Sequence, residues 1–253
     1  MSNRNMKQKS SLSTRRGFVK TCLATVAAVA SNPAMVVRSE PLRSYNRVLL
    51  VDHLGEPIGS DALSRGDAFI FHYPHITTPC FLVDIGRSLD TGRDLATEDG
   101  RHYRWRGGAG PGASVVAFSA ICAHKLSYPT RTVSFLNFRP ELTRYMDSNE
   151  QVSERSQIIY CCSERSVYDP SRGAEVIGGP ARQPLTTVDL EYDGANDRFY
   201  AVGTRGGELY EEFFFRFGFR LALENEIDDV RALAAGTTEV IPHDRYSSQP
   251  VTC

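Results

Sequence analysis

Two short stretches of this chain gather the side-chain types that bind transition metals. The stretch "AICAHKLSYP" (120–129) holds Cys122 and His124 two residues apart, and "YCCSERSVYD" (160–169) holds Cys161, Cys162 and Glu164. Thiolate and imidazole suit zinc, copper and iron, whereas a carboxylate oxygen is a harder donor that ferric iron accepts. A Cys-x-His pair on a turn can aim sulfur and nitrogen at two different metal ions, provided that a second loop faces it. Neither stretch carries a recognisable catalytic base.

Strands must deliver these loops. "SVVAFSAI" (114–121) ends at Cys122 and "SQIIY" (156–160) ends at Cys161; both are short apolar runs bounded by polar or turn residues. The same punctuation by Gly, Pro and Asp recurs from Tyr45 onward in "RVLLVD", "DAFIFHYP", "CFLVDIG" and "HYRWRGGAGPG", and again in "GAEVIGG", "LTTVDLEYDG" and "RFYAVG". The expectation is an all-β fold of small antiparallel sheets. Only the tail departs: Phe213, Phe217 and Leu221 fall four apart, as on one helix face that packs against the protein's own core. The polar stretch 125–155 reads as a surface excursion, and His72 and His75, separated by a proline, as half-exposed strand histidines. The glycine-rich "RGGAGPGAS" leads into a strand and is read as a loop, since it lacks the helix N-terminus that binds phosphate.

The chain as a whole excludes some partners. Lys plus Arg (29) balances Asp plus Glu (30), so no global field draws it to nucleic acid. At the N-terminus, "STRRGFVK" followed by the Ala-rich run "TCLATVAAVASNPA" reads as a twin-arginine export signal, with small residues at 28–30 before a cut at Ser31. The apolar run is broken by Ser31, Asn32 and Pro33, so membrane association is expected only if the signal stays uncut. The expected location is the periplasm. Of six cysteines, Cys80 and Cys253 are left to pair or stay free.

With these features in order, the region 112–205 resembles the Rieske iron–sulfur family. In that family two loops, Cys-x-His and Cys-x-x-His, hold a 2Fe-2S cluster, two cysteines on one iron and two histidines on the other. The resemblance implies Cys122, His124 and one of Cys161 or Cys162 as ligands. It places Ser166 and Tyr168 where the family donates hydrogen bonds to sulfur, and it makes "GGPARQPL" (178–185), with Pro180, the loop that covers the cluster. It divides the chain into a signal (1–30), an N-terminal β extension (41–110), a Rieske-like domain (111–205) and a C-terminal tail (206–253).

The second loop departs from the family, because no histidine follows its cysteines. Counted from Ser166 and Tyr168, Cys161 is the ligand and Glu164 stands at the histidine position; one residue on, Cys162 is the ligand and Arg165 stands there. Arginine has no lone pair to offer. Three readings follow: Glu164 ligates, Cys162 or a distant histidine (53, 72, 75, 102 or 243) completes the site, or no cluster binds. Cysteine is also absent at Ser127 and Ser163, where respiratory members carry an inter-loop disulfide. The resemblance implies an electron-transfer subunit that serves a redox partner protein or a quinol-oxidising complex. The alternative is a clusterless assembly module.

Overall fold

The computed structural model describes residues 42–63, 66–89 and 91–253, so the expected signal lies outside the described residues. The strands are β1 (Arg43–Val51), β2 (Ala68–His72), β3 (Pro79–Asp84), β4 (Arg93–Ala96), β5 (His102–Trp105), β6 (Val115–Ser119), β7 (Leu136–Arg139), β8 (Thr143–Met146), β9 (Val152–Arg155), β10 (Ile158–Cys161), β11 (Val167–Asp169), β12 (Glu175–Gly178), β13 (Thr187–Asp193), β14 (Arg198–Arg205), β15 (Thr237–Glu239) and β16 (Ile241–Pro242). Helix α1 (Tyr210–Asn225) precedes β15, and the single-turn helix α2 (His243–Tyr246) follows β16. The fold is all-β, as the alternation of short apolar runs and turn residues requires.

Eight strands form one sheet in the order β15-β1-β14-β13-β6-β3-β2-β16. Its two edge strands, β15 and β16, are separated in sequence by Val240 alone, so the sheet curls until its edges meet. The Val240 N–H donates to Val51 O at 2.8 Å, and Thr238 Oγ1 donates to His72 O at 3.1 Å, which ties β15 to strands from both ends of the order. Closure of this kind removes the unpaired edges that an open sheet exposes. The C-terminal residues were expected to form a helical or irregular tail. They supply α1, but they also close the barrel. Strands from 41–110 and from 111–205 lie side by side in the same sheet, β3 against β6 and β1 against β14.

Strand β3 is apolar along almost its whole length because both of its faces are covered. Cys80 and Leu82 join Phe71, Leu50 and Phe199 inside the barrel, while Phe81 and Val83 join Ile70, Phe118 and Ile159 in a second core. That second core lies beneath a four-stranded antiparallel sheet, β12-β11-β10-β7. Part of it comes from the stretch expected to be a polar surface excursion. There β7 buries Leu136 and Phe138, and only the β8–β9 hairpin is exposed.

Helix α1 places Phe213 and Leu221 in the interior and Phe217 at its margin, as their spacing predicts. Tyr210 and Phe214 extend that face. Together they pack on Ile121, Leu126 and Tyr128, which belong to the loop after β6.

Candidate metal centre

Two loops meet at the end of the second core, and their backbones follow one plan. In the first, the Leu126 N–H donates to Cys122 O (3.0 Å) and the Cys122 N–H to Ser127 O (2.8 Å). In the second, the Arg165 N–H donates to Cys161 O (2.7 Å) and the Cys161 N–H to Ser166 O (2.9 Å). Leu126 and Arg165, each four residues past its cysteine, both take the left-handed conformation that this tight turn needs, with φ of 60° and 61°. Each cysteine sulfur faces the amides two and three residues on: His124 and Lys125 for Cys122, Ser163 and Glu164 for Cys161.

The Cys122 and Cys161 sulfurs are buried in one core and each perturbs the other's titration. Tyr168, fully buried, stands 3.3 Å from Cys122 Sγ through its hydroxyl. That oxygen already accepts the Ala123 N–H at 3.0 Å, which leaves its own proton for the sulfur. The Cys122 thiol is therefore held well below the ordinary range, first by the Cys161 S–H, against the opposing effect of burial, and then by Tyr168 and the two amides. Cys161, whose proton is the one shared, is pushed up by Cys122 and by burial.

Two other expected residues, Ser166 and His124, lie in the same two loops. Ser166 is fully buried, and its hydroxyl has no hydrogen-bond partner; the same holds for the buried Nδ1 of the half-buried His124. A buried polar atom without a partner costs about 1–3 kcal/mol, so these two atoms mark the place where an acceptor and an electrophile are wanted. The covering loop behaves differently from expectation. Pro180 is exposed, and it is Gly179 that touches the second loop: a Cβ there would lie 2.2 Å from Arg165 O, and its φ of +78° also favours glycine.

Cys162 is not a ligand in this arrangement. Strand alternation turns Cys161 inward and its neighbour outward, where the C-terminal segment passes and Cys162 forms a disulfide with Cys253. This also excludes the two other pairings considered, Cys161 with Cys162 and Cys80 with Cys253. Cys80 is buried, and its thiol donates to Tyr73 O at 3.0 Å. Two of the distant histidines are engaged elsewhere. His72 bonds the Tyr246 hydroxyl, and His75 is buried against Tyr210 and Phe214 in a loop instead of half-exposed on a strand.

Glu164 lies at the rim, where its carboxylate accepts from Lys125 Nζ at 3.1 Å. Lys125 and Glu164 occupy corresponding places in the two loops, each three residues past its cysteine, so the ion pair spans the loops. Sequence reading missed this pair, although a lysine following one box and a glutamate in the other was a visible signal. It also missed the salt bridge from Arg155 to the buried Asp169 (2.5 Å) that anchors β11. Among the described residues, no three His, Cys, Asp or Glu side chains converge on one point. A binuclear centre spreads four ligands over two metals and does not require such convergence.

No family model matches the chain. Among solved structures, the chain is similar to the crystal structure of the soluble domain of the Rieske protein II (soxF) from Sulfolobus acidocaldarius. The identity is 23%, the match covers 63% of this chain and 78% of that one, and the TM-score is 0.42. At that score the overall geometry is only loosely shared.

Proposed function

We propose that the chain is an exported electron-transfer protein of the Rieske type, with Cys122 and Cys161 holding one iron of a 2Fe-2S cluster and His124 and Glu164 the other. The observation that carries this reading is the buried thiol pair with the Tyr168 hydroxyl directed at one of its sulfurs. The unpartnered Ser166 hydroxyl and His124 Nδ1 fit the same group, as a donor to a cluster sulfur and as a ligand nitrogen. With Cys162 bonded to Cys253, Glu164 is the remaining donor in the second loop.

A bound cluster passes one electron at a time, and a carboxylate in place of an imidazole lowers its potential. The chain's own residues hold, shield and tune. Leu136, Leu185 and Ala181 keep water from the thiols, and Tyr168 stabilises negative charge on Cys122 sulfur. Glu164 must first leave Lys125. Both groups are partly exposed, so parting them costs at most about 1 kcal/mol. Quinol oxidation is disfavoured with a single loop histidine, and a relay to a redox partner or quinol-oxidising complex in the periplasm fits better.

Iron and acid-labile sulfide per chain, with an electron paramagnetic resonance spectrum after dithionite, test this. About two of each and a low average g value are expected. Absence of both after reconstitution favours the second reading, a clusterless module in which the Lys125–Glu164 pair permanently closes the loops. Glu164→His should raise iron retention if one ligand is all that the second loop lacks.

A further inference from the structure

Helix α1 has an apolar stripe on its outer side as well as on its buried face. Phe215 is 90% exposed, Phe219 83% and Leu223 65%, and their spacing of four places them in one line along the solvent side. Single exposed apolar residues are ordinary, but an aligned set of three marks an interaction site. The stripe is flanked by the pairs Arg216–Glu212 (3.0 Å) and Arg220–Glu224 (2.6 Å), so its rim is charged but locally neutral.

The described chain begins close to this helix. A Cβ at Gly203 would lie 2.7 Å from Leu42 Cδ1, Arg43 pairs with Glu208 at 2.6 Å, and the Tyr45 hydroxyl lies 3.1 Å from both Glu208 oxygens. Glu208 stands two residues before α1 starts. Upstream of Leu42 the sequence carries the apolar run 21–37. The chain that leads back to that run therefore leaves the described structure beside the first turn of α1.

We propose that the Phe215–Phe219–Leu223 stripe rests in the surface layer of a lipid bilayer, the same bilayer that holds the uncut N-terminal apolar run. This rests on the export reading of the N-terminus and on the signal staying uncut at Ser31, the condition under which membrane association is expected. Three side chains on a convex helix are too few for a standard protein interface of roughly 800 Å² per partner. They are enough for a molecule already tethered a short distance away, because tethering makes the second contact intramolecular. With 16 residues that include Glu211, Glu212, Arg216, Arg220 and Glu224, α1 lies on a membrane and does not span it. Its neutral rim makes the contact apolar and indifferent to anionic lipid. The opposite face of α1 carries the first ligand loop, and Arg216 Nη1 donates to Lys125 O at 3.4 Å. The Cys122–His124 loop is then held about one helix diameter, roughly 10 Å, from the bilayer.

The test uses the full chain with a polarity-sensitive dye on Leu223→Cys, and separately on Leu142→Cys in the exposed β8–β9 hairpin as a control. Both variants carry Cys22→Ser, because Cys22 lies in the N-terminal apolar run; Cys80, Cys122 and Cys161 are buried, and Cys162 and Cys253 are bonded to each other. Vesicles are of phosphatidylcholine with a spin-labelled quencher lipid. Quenching at position 223 should exceed that at 142 at least threefold, survive about 0.5 M salt, and fall to the control level with Phe215→Ser/Phe219→Ser. Equal quenching at the two positions, no quenching at 223, or no vesicle binding by the full chain overturns the proposal. So does a vesicle-free dimer that the double substitution abolishes, which assigns the stripe to a second copy. Iron content measured on the same samples reports separately on the electron-transfer reading.

Discussion

The two ligand loops share a backbone plan and differ in what holds them. The loop after β6 is backed by the buried face of α1, with Phe213 and Phe217 against Tyr128 at ring distances of 4.9 and 5.2 Å. The loop after β10 has no such helix. It is held by the Cys162–Cys253 bond, by Gly179 against Arg165 O, and by Arg139 and Asn137, which both donate to Val251 O. The first loop carries Cys122 and His124, and the second has Glu164 three residues past Cys161. A turn whose shape is fixed by hydrogen bonds to the cysteine backbone does not depend on the side chain three residues on. The two loops therefore share a form while differing in the side chain at that place.

Removing the helix support should have the largest effect. Phe213→Ala leaves a cavity at a fully buried ring and is expected to cost about 3–5 kcal/mol by urea denaturation. A cost below about 1 kcal/mol would mean that α1 does not brace the first loop. Next comes the covalent support. Cys253→Ser, or reduction of the native chain, should cost about 2–4 kcal/mol, since the bond closes a long loop. If the melting temperature does not move, the hydrogen bonds to Val251 alone hold the segment.

A smaller, pH-dependent term separates the same two regions. His243, in the C-terminal segment that supports the second loop, is buried edge-on to Phe81, and burial lowers its pKa to about 4. The fold favours the neutral ring, whereas the unfolded chain titrates near 6.5. This contribution is complete above about pH 6.5 and is lost as pH falls toward 4, a total of at most about 3 kcal/mol. The measurement is denaturation across that range, and His243→Leu should remove roughly half of the pH dependence, since burial also lowers His72 to about 4. The smallest effect tests the chemistry shared by both loops. Tyr168→Phe removes the hydroxyl from Cys122 sulfur and should raise that thiol's pKa by about half a unit to one unit, read by alkylation rate against pH in cluster-free protein. An unchanged profile would leave the backbone amides and Cys161 as the only groups that activate the thiol.

The β-rich character, the strands that deliver Cys122 and Cys161, and the buried face of α1 were legible because period and punctuation are local. The second face of α1 was not, since Phe215, Phe219 and Leu223 look like further core residues until the interior proves to be filled by Phe213, Phe214 and Leu221. Strand β7 was hidden by its charged neighbours, because three buried residues in a four-residue strand are too few to show a period. The bond between Cys162 and Cys253 joins positions 91 residues apart, and no spacing rule indicates such a partner. The contact beside Pro180 was hidden for a related reason. The close approach to the second loop is made by the glycine beside it, where absence of a side chain is the useful property.

The closure of the barrel by residues 237–242 sets an order of events during synthesis. Strands β1 and β2 emerge early from the ribosome, yet their outer hydrogen bonds go to β15 and β16, which are made only after α1. Until then both strands present bare edges, the kind of surface on which nascent chains join one another. A chain built this way gains from being kept apart from other nascent chains until its late residues arrive and seal the barrel.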